Sequence, residues 1–404
     1  LSGTLNHNAG SVLSGLGNLN NAGTMNLNID MNLPAAIALS NTGTITGPGN
    51  LTVNNNFTWS GTITGAGFLQ LNEGGTWNGG LLGRLSTVAA NKTLNLSTGA
   101  QKEFIAGSGL TNNGTLDWQD GQITWNVSFP TITNNGTFTI SGNNNTQEAN
   151  GGLGTIINNG TISKTSIGTS GLNFLTLTNA GTVKGLGTYN LSPSTFNSNG
   201  NLAPGLSPGI MTFNGAQPLF ASSTLQIEML DGSGAGTGHD QLQRNSSLTL
   251  AGTLTVTQTG SVPYGTYTII SLSSGTISGS FSTVNLPAEY TLQVNTTTVD
   301  LVKAMPVSLN THYFRSITTG DWATPATWES SPVSDFSSGV VNPATLAPDD
   351  NANTITIRNT HNVTINSPVT ADQVVVATGG TLTQTNNLTL ANGAGDDLTV
   401  NGTW

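Results

Sequence analysis

The chain has 404 residues, no cysteine, 7% charged residues, 52 glycines and a formal net charge of −10. Its 35% hydrophobic content separates it from disordered chains, which are rich in charge and poor in apolar residues. Nine basic residues without a stripe exclude a nucleic-acid surface, and no apolar run nears the roughly 18 residues of a membrane-spanning helix.

The polar remainder is mainly Asn, Thr, Ser and Gly, which favour turns and strands over helix interiors. No amphipathic helix is predicted. Residues 1–200 carry six acids and five bases, and residues 201–404 carry thirteen and four, so the acidity lies in the second half. Without cysteine there are no disulfide staples. Leu1 is neither an initiator Met nor the start of a signal peptide, so the chain reads as a mature product or an excerpt of a longer one.

Residues 1–203 are predicted to form a first β-solenoid. A unit Asn-x-Gly-Thr-apolar recurs, as in Asn21-Ala22-Gly23-Thr24-Met25, Asn41-Thr42-Gly43-Thr44-Ile45 and Asn179-Ala180-Gly181-Thr182-Val183. Further copies run through Asn113-Gly114, Asn135-Gly136 and Asn159-Gly160, each followed by Thr. The glycines step by 20 from 3 to 23 to 43, and by 22, 24 and 21 from 114 to 181. Such a period predicts an all-β parallel β-helix with coils of about 20–24 residues in two or three consecutive segments. Asn and Gly are expected to make the corners by tolerating left-handed backbone angles. Thr then opens a strand of alternating polarity, which puts Leu116, Phe138, Ile140, Ile162 and Val183 inward in a stacked column. Stacked Asn side chains are expected to form amide ladders. The alternative is a sandwich of short strands joined by Asn-Gly hairpins, which a regular coil period disfavours.

A boundary is predicted at Ala203-Pro204-Gly205-Leu206-Ser207-Pro208-Gly209, where two prolines interrupt coil pairing. Residues 204–304 have longer strands, such as Ser223–Met229 and Tyr267–Leu272, and continue or close the solenoid. Residues 305–352 read as a loop-rich connector. Residues 353–404 read as a second solenoid, expected to continue beyond Trp404 because Asn401-Gly402-Thr403 repeats the corner motif.

These motifs resemble known surface proteins. Residues 1–203 look like the repetitive passengers of filamentous adhesins and autotransporter-like proteins. The run Ala203–Gly209, with His239-Asp240-Gln241-Leu242 and Gly252-Thr253-Leu254-Thr255-Val256, resembles a module that often follows such repeats. Residues 312–404 are similar to large secreted proteins of Bacteroidetes-type bacteria exported by type IX secretion, through Gly320-Asp321-Trp322, Thr327-Trp328-Glu329 and His361-Asn362-Val363-Thr364-Ile365. The resemblance implies an extracellular location at a bacterial cell surface. It names no active site.

Parallel β-helices also host pectate lyases and polygalacturonases, so catalysis needs a test against the residues. Glycoside cleavage requires paired carboxylates. The first solenoid offers Asp30, Glu73, Glu103, Asp117, Asp120 and Glu148, about one per coil, with Asp117 and Asp120 the best local pair. No enzyme is predicted. Six acids are weak Ca²⁺ candidates in Gly-rich or acidic loops: Asp231, Asp240, Asp349, Asp350, Asp396 and Asp397. No other cofactor is expected, and His7, His239, His312 and His361 lack zinc spacing. Trp59 and Trp77 occupy core slots, while Trp322 and Trp328 are expected to pin the last module to its neighbour. A Thr-x-Thr face of the ice-binding kind is disfavoured, because variable coil length should make the Thr register drift. The reading is therefore a structural or adhesive fibre segment, with self-association, neighbouring repeats of the same giant chain or surface glycans as partners. The alternative is a carbohydrate-binding or carbohydrate-cleaving β-helix.

Overall fold

A computed structural model describes residues 1–127 and 129–404. It is nearly all β, with 1% helix and about 19 solenoid turns. The chain forms two compact units, Leu1–Lys303 and Ala304–Trp404.

The first unit is a three-sided parallel solenoid. One side is a continuous 13-stranded sheet from Gly17–Asn21 to Thr283–Asn285. The second is a 9-stranded sheet that begins with Met31–Leu33 and ends with Thr195–Ser198. The third starts as an 8-stranded sheet, Thr4–His7 to Thr146–Ala149, and resumes at Thr169–Gly171 as a 7-stranded one. Up to Thr195–Ser198, strands of three to five residues suffice because each borrows neighbours from adjacent coils. Coil length varies more than the sequence period suggests. Thr44 pairs with Thr62, a step of 18, whereas Thr224, Thr253 and Thr283 pair in succession at steps of 29 and 30.

Alternation along each strand fills the interior. Leu116, Phe138, Ile162 and Val183 stack in one column of paired positions, all fully buried. Ile140 is also buried but belongs to the neighbouring column, between Trp118 and Lys164. The difference is two residues along the strand, the same face one pleat further on. Aromatic rings fill the interior, Trp59 stacking on Trp77 of the next coil at 5.3 Å and Trp77 meeting Phe104 of another side edge to face at 5.2 Å.

The corner glycines have a different cause from the one expected. Gly23, Gly43, Gly114, Gly136, Gly160 and Gly181 do not adopt positive φ. A Cβ on Gly136, Gly160 or Gly181 would lie 2.0–2.1 Å from the carbonyl oxygen of the equivalent glycine one coil earlier. That oxygen accepts the N–H of the next Thr, as Gly114 O does from Thr137 at 2.8 Å. Glycine is needed for close coil-to-coil approach, and dihedral freedom is not the constraint.

The buried asparagine is the one two residues before each glycine. Asn112 Nδ2 donates to Asn134 Oδ1, Asn134 to Asn158 and Asn158 to Asn179, each at 2.7 Å. All four are fully buried. Their Nδ2 groups also donate to strand carbonyls, Thr137 O at 2.9 Å in the first rung. A second ladder, Asn113–Asn135–Asn159, runs outside at 2.9 Å per step.

The stack crosses Pro204–Gly209 without a break, since Asn201 and Leu202 pair with Thr224 and Leu225. The 9-stranded side ends at Thr195–Ser198, and a separate parallel pair, Leu248–Leu250 with Ile277–Gly279, follows it. On the third side parallel pairing gives way to antiparallel. There Thr298–Lys303 adds antiparallel to Gly265–Leu272, and Tyr290–Val294 adds antiparallel to it.

The second unit is a smaller three-sided solenoid. Tyr313–Ser316 pairs in parallel with Thr354–Ile357, then Val374–Val376 and Leu398–Val400 follow. Residues read from sequence as a connector thus supply this unit's first coil. Trp328–Ser331 runs antiparallel along its edge.

Candidate functional site

The longer coils of the first unit open a groove of about 330 Å³ on the outer face of the 13-stranded sheet. Its cause is local. After Pro204 the chain leaves the sheet, while the next strand, Thr224–Met229, runs on for six residues. Gln226 and Glu228 therefore have strand partners, Thr255 and Thr257, on one side only. The segment Gly205–Ser207 forms the opposite wall, with Lys184 at one end.

Asp240 holds this arrangement. Its Oδ1 accepts the Gly209 N–H at 2.8 Å and its Oδ2 accepts the Glu228 N–H at 2.9 Å. Its own N–H donates to Glu228 O at 2.9 Å, so Asp240 takes the place of the missing strand partner. Gly205 has φ +88, and a Cβ there would lie 2.5 Å from Asp240 Oδ1. These contacts account for the spacing of Gly205, Gly209 and Asp240 in the motif. Burial pushes the Asp240 carboxyl up to about 7, and the nearby Glu228 charge adds to this against the two N–H donors. Glu228 Oε1 accepts the Thr259 hydroxyl at 2.8 Å. The groove thus carries two carboxyl groups, that of Asp240 already bonded to backbone N–H groups, with one ammonium, an amide and several hydroxyls beside the exposed Leu206.

Glu228 and Asp240 lie outside the first solenoid, whose acids were the candidates for a carboxylate pair. In that solenoid each acid serves a local neighbour. Glu73 pairs with Lys92 at 2.6 Å, and Asp30 accepts from the Asn50 N–H at 2.9 Å. Asp117 accepts Ser141 Oγ at 2.6 Å, while Asp120 Oδ1 accepts the Gly121 N–H at 2.7 Å. Glu103 accepts from Asn126, and Glu148 from the Gly151 N–H.

Of the Ca²⁺ candidates, Asp231 accepts both the Ser233 N–H and its hydroxyl, and Asp349 accepts the Asn351 N–H, so both close turns. Asp350 receives Asn351 Nδ2 at 3.4 Å. Asp396 and Asp397 lie in the turn before Leu398–Val400. Among the described residues, no three His, Cys, Asp or Glu side chains converge on one point.

Thr register does not drift as expected. Thr93, Thr115, Thr137, Thr161, Thr182, Asn201, Thr224, Thr253 and Thr283 form one outward column. Extra residues enter at corners, so the strands stay aligned. The next column reads Asp117, Thr139, Ser163, Lys184 and Ala203, which breaks any Thr-x-Thr array on this sheet.

In the second unit the family-like motif residues meet each other. Trp322 and Trp328 pack edge to face at 5.1 Å, with Trp328 Nε1 donating to Trp322 O and Trp322 Nε1 to Pro348 O. The pair builds this unit's own core. Glu329 is buried between Arg315 at 2.6 Å and Arg358 at 3.5 Å. Ser316 Oγ contacts His361 Nδ1 at 2.8 Å and accepts the Arg358 N–H, yet Ser316 is fully buried, so this pair ties strands together. No family model matches the chain, and no curated protein matches it. What holds of the resemblance is its architecture, a repeat β-helix.

Proposed function

We propose that this chain is a structural and adhesive segment of a bacterial cell-surface fibre, acting without catalysis. The observation that carries the proposal is the continuous stacking of like on like: buried Asn on Asn, corner Gly on Gly, outward Thr on Thr. In such a stack each coil gains its stability from its two neighbours, so the design extends in length at constant cost per coil. Low charge supports the same reading, because like charges in register about 4.8 Å apart would repel. The antiparallel hairpin at Tyr290–Lys303 replaces a parallel edge, which favours length built within one chain over stacking of separate copies at that point.

Immunogold labelling of intact cells tests the proposal. Label on extended surface material, removed by external protease, is the expected result. Label confined to the cell interior would overturn it.

A further inference from the structure

We propose that the groove beside Asp240 is a binding site for a neutral saccharide unit displayed by a neighbouring surface. This names the ligand of the adhesive reading and rests on it. The chemistry of the lining selects the class. A phosphate or polyanion would meet Lys184 alone, with the Glu228 carboxylate in the same groove. A divalent cation needs several free oxygens. Both Asp240 oxygens already accept backbone N–H groups, which leaves Glu228. A purely apolar ligand would find Leu206, 43% exposed, against a rim of hydroxyl, amide and carboxylate.

A sugar ring matches what remains. Its C–H face can lie on Leu206 and Ala203, while its hydroxyls reach Gln226, Glu228, Thr257 and Lys184 as donors and acceptors. The volume of about 330 Å³ sits at the small end of ligand pockets, room for one or two rings. Among the described residues, no aromatic ring lines the groove. Affinity for one unit is therefore expected on the order of 1 mM, and useful adhesion would come from many copies acting together.

Saturation-transfer NMR on the full chain tests this with glucose, galactose, N-acetylglucosamine and cellobiose, and with glucuronate and inorganic phosphate as anionic controls. At least one neutral sugar should receive transfer, and the anions should not. Leu206→Asp, at an exposed loop position, and Gln226→Ala should each cut the transfer at least fivefold while the melting temperature stays within the wild-type range. The proposal is overturned if no neutral sugar receives transfer, if the anions bind as well, or if both folded variants bind like wild type. A surface-located protein that binds no sugar sinks this inference alone. A sugar-binding protein found inside the cell sinks the surface reading alone.

Discussion

Asn158→Ala is the sharpest test of what holds the first unit together. Asn158 Oδ1 accepts from Asn134 and its Nδ2 donates to Asn179, both at 2.7 Å, with a further bond to Thr182 O at 3.1 Å. Alanine removes the two ladder bonds, each worth about 0.5–1.5 kcal/mol net. It also strips Asn179 Oδ1 of its hydrogen-bond donor, and a buried unsatisfied acceptor costs about 1–3 kcal/mol more. The expected loss is about 3–5 kcal/mol. Its neighbour Asn159 is the control, since it makes a ladder bond of 2.9 Å in solvent, and Asn159→Ala should stay within about 0.5 kcal/mol. Guanidinium unfolding followed by the fluorescence of the buried Trp118 and Trp125 gives the comparison. Exchange of the Gly181 amide, which donates to Asn158 O at 3.0 Å, locates the loss. Equal effects at the two positions would refute the claim that the buried ladder, and not the corner geometry, carries the stability.

Phe138→Ala should destabilise by roughly 3–5 kcal/mol, because the ring is fully buried between Leu116 and Ile162 and the stack cannot collapse around the gap. Gly136→Ala should lose about 1–3 kcal/mol through overpacking against Gly114 O, measured by the same titration. For pH, Asp240 keeps its proton in the fold up to about 7, whereas the unfolded chain releases it near the ordinary carboxylate value. Its contribution is therefore fully present below that ordinary value and is lost as pH rises through about 7. His239 next door acts oppositely below its ordinary value, since burial lowers its pKa. The difference between wild type and Asp240→Asn in thermal unfolding at pH 5 and pH 8 isolates the carboxyl, and a wild-type pH dependence unchanged in the variant would contradict it. Chelation with EDTA should leave the melting temperature unmoved, because Asp231 and Asp349 already accept hydrogen bonds within their own turns.

The architecture was readable because it is written in a period. Gly, Thr and an apolar residue recur at near-constant steps, and stacking is the arrangement that buries all of them at once. The reason for the glycine was not readable. Positive φ and close approach both select glycine, and only the position of Gly114 O relative to Gly136 separates them. Thr alignment does not follow from total coil length, which says nothing of where extra residues go; from Thr224 to Thr283 they enter at corners and leave the strands in register. The groove was invisible for a related reason. Gly209 and Asp240 are 31 residues apart, and the same carboxyl reaches Glu228 at 12, so no local motif joins them. One signal was available: Glu228 sits at an outward position of an unusually long strand beside a proline-bearing break.

The basic residues show how a chain so poor in charge still uses the few it has. Where a corner widens, carbonyls turn away from the neighbouring strand and lose their donors, which a buried site cannot tolerate. Lys102 answers this directly. Its buried Nζ lies within 2.9 Å of four carbonyl oxygens, Ser97 O, Thr98 O, Ala100 O and Asp120 O, which share its three protons. Burial pulls its pKa down to about 8, with Asp120 opposing, so it remains the three-proton donor at neutral pH. Arg84 reaches further along the stack, to Thr64 O at 3.1 Å and to Gly49 O at 3.3 Å. Arg244 gathers Phe213 O, Gly215 O and Ala216 O in the longer coils. A serine at these places would supply one proton where three or more carbonyls wait. Several long basic side chains are thus spent as hydrogen-bond donors inside the corners, and the outer faces keep the uncharged Thr and Asn columns on which the adhesive reading depends.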